Sequence, residues 1–410
     1  MPDGISSNER SSPAARSAAR VAPRSRTRRA IYRVLTVILA CLSIEAFARA
    51  VLAFIVGPSV LAYGTTLARR TLKPTKMAER PWHEQISRAE PQQIHVASDA
   101  AGYLKYNPHQ RKTGVDPNGA RYEVGINADG FRGEEFRRDK PPGVVRIMTL
   151  GASSTFGYHD RDDETYPHYL ERLLNERLAT HPDRASAYEV LNFGIPHLAS
   201  ANIVALFRAE GLAFAPDIVT FYEGVNDTRA IEPSGMERLL YELSQHFVVG
   251  QLVYQIATPL FTAFTQEALE EALRGKRSSF LANVALLRDE CRSRGIRFIA
   301  ISQQAQSETV PREELARTTY AEEVAKIQAK LDAGKTLSLL EFQLTIHSDL
   351  MQGLREWVAT QDVEFVDAIA AFDRRGKRDT LVSWVHLAPE GNRILAEAIA
   401  EVVWTGRSSR

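Results

Sequence analysis

An open, three-layer α/β/α domain with a parallel five-stranded sheet is the fold class that the sequence predicts, and three observations predict it. Short runs rich in β-branched residues recur at 144–150, 188–193, 217–222, 296–302 and 363–367. Amphipathic stretches of helical period lie between and after them, near 166–178, 199–212, 280–292, 345–359 and 389–403. Strands that alternate with helices are joined by crossovers, so they pair in parallel and carry helices on both faces. Five strands spaced this widely fit an open sheet better than a closed barrel.

In chain order, the first 33 residues hold eight arginines against only Asp3 and Glu9, although the whole chain has a formal net charge of +1. The apolar run 34–56 follows at once. As a helix it is about 35 Å long, enough to cross a hydrocarbon layer of roughly 30 Å. A basic flank beside an apolar run follows the positive-inside rule, so 1–33 is expected as a cytoplasmic tail and 34–56 as a single transmembrane helix. Residues beyond about Pro58 are then on the exported side, periplasmic or extracellular. The run contains Glu45 and Arg49. Its thirteen strongly apolar residues, at about −0.3 to −0.6 kcal/mol each, roughly cancel two central charges at about +2.5 to +3.5 each. The two charges stand i,i+4 and can neutralise each other or meet polar groups of a neighbouring helix. The alternatives are a cleaved export signal, with Ala46-Phe47-Ala48 as the processing site, and a helix lying on the membrane surface.

Residues 57–142 are mixed and polar, broken by Lys73-Pro74, Arg80-Pro81 and Asp116-Pro117-Asn118-Gly119, and read as a linker entering an irregular flap. Within it, Ile126-Asn127-Ala128-Asp129-Gly130-Phe131-Arg132-Gly133 reads as a tight surface turn with an exposed Phe and Arg. The globular domain spans 143–410 and is interrupted by an insertion at about 229–276. The apolar part of that insertion, 247–264, reads equally as a lid or membrane-contacting helix and as a buried core helix. Residues 311–340 read as a charged, solvated helical hairpin.

Several function classes are excluded by what the chain lacks. After the basic tail the balance is mildly acidic, which gives no nucleic-acid groove. Cys41 and Cys291, the only two cysteines, make no disulfide framework. The ten histidines follow no metal-site spacing, so no metal or other cofactor is expected. Neither a P-loop nor a G-x-G-x-x-G fingerprint is present.

In open α/β sheets, reactive groups gather beyond the carboxyl ends of the strands. There the sequence has Gly151-Ala152-Ser153-Ser154 after the first strand, Gly194 after the second, and Gly224-Val225-Asn226-Asp227 after the third. Near the C-terminus stands Ser383-Trp384-Val385-His386. Gly151-Ala152-Ser153 is not a G-x-S-x-G elbow, because Thr155 stands where the last glycine belongs. Singly each signal is weak. Together, in this order, they resemble blocks I, II, III and V of the SGNH (GDSL-type) hydrolases over roughly 144–404, and the N-terminal helix resembles membrane-tethered bacterial members.

The resemblance implies a flavodoxin-like sheet and an ester hydrolase that acts through a serine acyl-enzyme on an acyl or acetyl ester of a small molecule, glycan or lipid. A serine hydroxyl needs an imidazole base and donors for the oxyanion. The family pattern assigns these to Ser153, to His386, and to the Ser153 N–H, the Gly194 N–H and the Asn226 side-chain amide. The pattern is broken at Ser383, where the family has an aspartate, so Ser383 is expected to orient His386 in its place. Asp379 is the rival acid. His159 and His197 flank the first two blocks as possible substrate contacts, their default reading being exposed loop histidines. Two other functions stay open: an acyltransferase passing the acyl group to a cell-envelope glycan, and a non-catalytic envelope binding protein.

Overall fold

A computed structural model describes residues 24–56, 93–96, 102–115, 121–158, 160–182, 184–228 and 264–406, with a few positions between 239 and 253. The basic tail before Arg24, most of the linker, His159 and most of the insertion lie outside the described residues. The chain forms two compact units, one of Met1–Lys73 with Gly235–Ala257, the other of Pro74–Ser234 with Thr258–Arg410.

The first unit is built on helix α1 (Arg24–Val56), whose segment Ala30–Val51 is long and apolar enough to cross a membrane. Its hydroxyls do not interrupt that character. Thr36 and Ser43 donate to the carbonyls of Tyr32 and Leu39, each at 2.8 Å, which satisfies them within the helix.

The second unit begins with two antiparallel ribbons, β1 (Gln93–Val96) with β2 (Tyr103–Tyr106), and β3 (Arg111–Val115) with β4 (Arg121–Gly125). The flap read as irregular is therefore partly regular. The turn that follows also corrects the sequence reading, because Phe131 and Arg132 are buried. Asn127 shapes it, its Oδ1 accepting from the N–H groups of Asp129 and Phe131 at 3.0 Å each. Phe131 stacks on Phe193 with centroids 4.0 Å apart. Arg132 pairs with Asp162 at 2.7 Å and donates to the carbonyls of Phe156, Gly157 and Asp160. A buried guanidinium needs acceptors for its five donors, and this stretch of chain after Ser153 supplies four.

The central sheet contains β5 (Val144–Gly151), β6 (Ala187–Gly194), β7 (Ile218–Tyr222), β8 (Arg297–Ile301) and β9 (Glu364–Val366), all parallel, in the order β6-β5-β7-β8-β9. All five coincide with the strands expected from sequence. The helices are α2 (Ser153–Phe156), α3 (Tyr166–Leu178), α4 (Ser200–Ala209), α5 (Gln266–Leu273), α6 (Lys276–Arg292), α7 (Arg312–Leu315), α8 (Tyr320–Asp332), α9 (Leu339–Thr360), α10 (Ala368–Arg375) and α11 (Pro389–Thr405). Alternation along the strands splits the core into two layers. Ile147, Tyr222 and Ile299 pack with α3 and α11 on one face. Met148, Leu150 and Phe221 pack with α4, α6 and α9 on the other.

Helix α9 starts at Leu339 rather than near 345, because Ser338 and Glu341 form a capping box. The 311–340 region is less solvated than expected. Glu323 of α8 is buried, bonding Arg378 at 2.5 Å and the Ser307 N–H at 2.7 Å.

Candidate active site

The register of the sheet sets the site. Gly151 of β5 stands opposite Gly194 of β6 and Tyr222 of β7, so the loops after three neighbouring strands leave at one level. The chain order reverses across β5, and such switch points are where open α/β sheets form crevices.

Close approach dictates glycine at two of these positions. A Cβ on Gly151 would lie 2.0 Å from Thr155 Oγ1 and 2.7 Å from the Tyr222 carbonyl oxygen. A Cβ on Gly194 would lie 2.2 Å from the Phe156 amide nitrogen. Both glycines let the short helix α2 sit down on the sheet, with half-buried Ser153 as its first residue. An N–H at that position has no acceptor within its own helix.

The loop 381–387 approaches from the other side. Leu381 and Leu387 form an isolated bridge, and the Val382 N–H donates to the His386 carbonyl at 2.8 Å. This brings His386 Nε2 to 2.8 Å from Ser153 Oγ. On the opposite side of the ring, His386 Nδ1 is 2.7 Å from Ser383 Oγ, which also accepts the His386 N–H at 3.2 Å. Ser153, His386 and Ser383 thus form one continuous hydrogen-bonded chain. Asp379 faces elsewhere: its carbonyl accepts from Arg312 at 3.0 Å, its carboxylate exerts its attraction on the Arg312 guanidinium, and its Oδ1 has no hydrogen-bond partner.

Of the donors expected for an oxyanion, the Gly194 N–H is engaged by Asn192 Oδ1 at 2.9 Å. The Asn226 side-chain amide donates to the Leu198 carbonyl at 2.9 Å, and its backbone N–H donates to Glu223 at 2.8 Å. A primary amide has a second N–H beyond the one given to Leu198. Asp227 bonds the Ser200 N–H at 3.0 Å and the Ser200 hydroxyl at 2.5 Å, tying the third loop to α4. Burial pushes its carboxyl above the usual range. His197 is exposed and held at a positive φ of 73°.

Three supporting residues escaped the sequence reading. Gln306, after β8, donates from its side-chain amide to the Ser383 carbonyl at 2.9 Å and from its backbone N–H to the Trp384 carbonyl at 2.7 Å. Ser154 donates to the Val385 carbonyl at 3.1 Å, so α2 and the histidine loop are joined directly. Tyr158 lies against the His386 ring with centroids 5.2 Å apart. The polar run Gln303-Gln304-Ala305-Gln306 at the carboxyl end of a strand was the available signal for the first.

The profile of the GDSL-like Lipase/Acylhydrolase family matches residues 149–394. Among solved structures, a lipase/acylhydrolase from Enterococcus faecalis is 16% identical, with 63% of this chain and 95% of that chain covered and a TM-score of 0.35. An acetylxylan esterase from Geobacillus stearothermophilus, solved as a catalytic mutant, is 18% identical, with 65% and 97% covered and a TM-score of 0.36. A G-D-S-L family lipolytic protein from Veillonella parvula is 11% identical, with 64% and 99% covered and a TM-score of 0.36. No curated protein matches. With the family profile spanning more than half of its length, the chain belongs to the GDSL-like lipase/acylhydrolase family of ester hydrolases.

Proposed function

We propose that this chain cleaves an acyl or acetyl ester of a glycan, lipid or small alcohol through an acyl-enzyme on Ser153, with His386 as base and Ser383 as the group that orients it. The observation that carries this reading is the chain from Ser153 Oγ through the His386 ring to Ser383 Oγ, with spacings of 2.8 and 2.7 Å.

For Nε2 to accept the Ser153 proton, the resting imidazole must carry its hydrogen on Nδ1. Ser383 Oγ can accept that hydrogen, so it accommodates that tautomer. Ser153 Oγ then attacks the ester carbonyl as its proton passes to Nε2, and the imidazolium returns a proton to the leaving alkoxide. Water, activated by the same nitrogen, releases the acid. Ser383 is neutral and supplies no counter-charge to the imidazolium. Replacing the triad aspartate by a neutral group in a serine protease costs about 10⁴ in kcat, so a slower enzyme than a full triad is the consequence.

The developing oxyanion would be met by the N–H groups of Ser153 and Gly194 and by the free N–H of the Asn226 amide. An anion is a stronger acceptor than a neutral amide oxygen, so it competes with Asn192 for the Gly194 N–H. The helix α1, with its basic flank, supports a single-pass membrane tether holding the hydrolase unit on the exported side. Fluorophosphonate labelling in the wild type and in Ser153→Ala tests the reading, as set out below.

A further inference from the structure

We propose that the insertion around Val248 and Val249 is a membrane-embedded companion of α1, docked on it by Glu45, and not a lid moving in water. The inference rests on the reading of α1 as a membrane anchor.

Glu45 is the anomaly that points to it. The apolar side chains around α1 are open, with Phe47 72% and Ile44 56% exposed, yet Glu45 is only 8% exposed. What covers it belongs to the same compact unit. Its Oε1 accepts the Val248 N–H at 2.9 Å and its Oε2 accepts the Val249 N–H at 3.0 Å. Arg49, one turn on, donates to Oε1 at 2.7 Å. A carboxylate in hydrocarbon is tolerated where it is paired and its lone pairs are filled. Backbone N–H groups in hydrocarbon must likewise find an acceptor within the protein. Each partner here removes the other's penalty, which explains both the charge inside α1 and the place where the insertion meets it.

Depth follows from the same contact. Glu45 lies inside the apolar span Ala30–Val51, six residues from Val51, or about 9 Å along the helix axis. Val248, bonded to it, is at the same depth. The surface that the insertion leaves open suits that place: Leu239, Leu243 and Phe247, spaced by four, are exposed at 52%, 38% and 39%, and Val253 at 43%. These exposed apolar side chains match the open apolar side chains of α1 in character and take lipid hydrocarbon as their partner. Gly250 keeps the segment tight, since a Cβ there would meet the Leu243 carbonyl oxygen at 2.6 Å.

Nitroxide collision measurements on the full chain in phosphatidylcholine–phosphatidylglycerol vesicles test this. Single labels are placed at Leu39→Cys on α1 or Phe247→Cys in the insertion, with Cys41→Ser and Cys291→Ala removing the native thiols. Both labels are expected to collide with oxygen and to be shielded from a water-soluble nickel chelate. Adding Glu45→Ala should reverse the ratio at Phe247 and leave it unchanged at Leu39, while Glu45→Gln, which keeps one acceptor oxygen, should release Phe247 less. Turnover of a water-soluble ester at the wild-type rate reports that the hydrolase unit is folded in each variant. A Leu39 label in lipid with a Phe247 label in water overturns the inference alone. A Leu39 label in water overturns the anchor reading beneath it. A Phe247 label that stays in lipid in Glu45→Ala overturns Glu45 as the dock.

Discussion

Ser383 Oγ stands 2.7 Å from His386 Nδ1, on the side of the imidazole opposite Ser153. A neutral hydroxyl there can fix the tautomer of the base but cannot neutralise its positive charge. Ser383→Ala should therefore lose one neutral hydrogen bond, worth about 0.5 to 1.5 kcal/mol, or roughly 2- to 13-fold in kcat. His386→Ala should cost orders of magnitude more. Ser383→Asp should raise kcat, because an anion beside the imidazolium stabilises its positive charge. Steady-state kinetics of the three variants with Asp379→Asn decide the point. A rate unchanged by Ser383→Asp and largely removed by Asp379→Asn would make Asp379 the acid.

Asn226→Ala should lower kcat by about 10² to 10³ with little change in KM, the signature of a donor aimed at the oxyanion. A loss confined to KM would show that the amide binds ground-state substrate instead. Gly194 offers no comparably clean variant, because any Cβ there meets the backbone of Phe156.

The sheet was legible in the sequence because buried parallel strands are near-continuous apolar runs such as Ile218–Tyr222. The candidate site residues Ser153, Gly194 and Asn226 lie just beyond the carboxyl ends of such strands, where open α/β sheets gather reactive groups, but each is a weak signal alone and only their combined resemblance to a family pattern named them. The ribbons before the sheet were not legible. Strand β3, Arg-Lys-Thr-Gly-Val, has neither alternation nor an apolar face, and its pairing with β4 is carried by backbone bonds. Burial of Arg132 was likewise invisible, since three of its acceptors are backbone carbonyls with no side-chain signature and the fourth, Asp162, lies 30 residues on. The role of Gln306 depends on a contact across 77 residues.

His347 gives the pH dependence of stability a definite sign. It is fully buried on α9, its Nδ1 2.8 Å from Tyr320 Oη and its Nε2 without a hydrogen-bond partner, and burial pushes its pKa down to about 3. Between that value and its ordinary one of about 6.5, the unfolded chain binds a proton that the folded chain does not. The stability His347 contributes is present above pH ~6.5 and falls by about 1.4 kcal/mol per pH unit below it. Urea titrations from pH 7 to pH 4 should show a shallower decline for His347→Gln than for the wild type. Parallel declines would contradict a neutral, buried His347.

Reporter fusions test the topology. A fusion near residue 100 should be active only as an exported reporter, and one near residue 20 only as a cytoplasmic reporter. The reverse pattern would place the hydrolase unit in the cytoplasm and remove the cell envelope as the source of its substrate.

The most direct test of the central claim is peptide mapping of the adduct formed with a fluorophosphonate. The account predicts a single modified site, Ser153, with both labelling and ester turnover abolished in a folded Ser153→Ala variant. Labelling that persists in that variant, or an adduct mapped to another residue, would contradict Ser153 as the nucleophile.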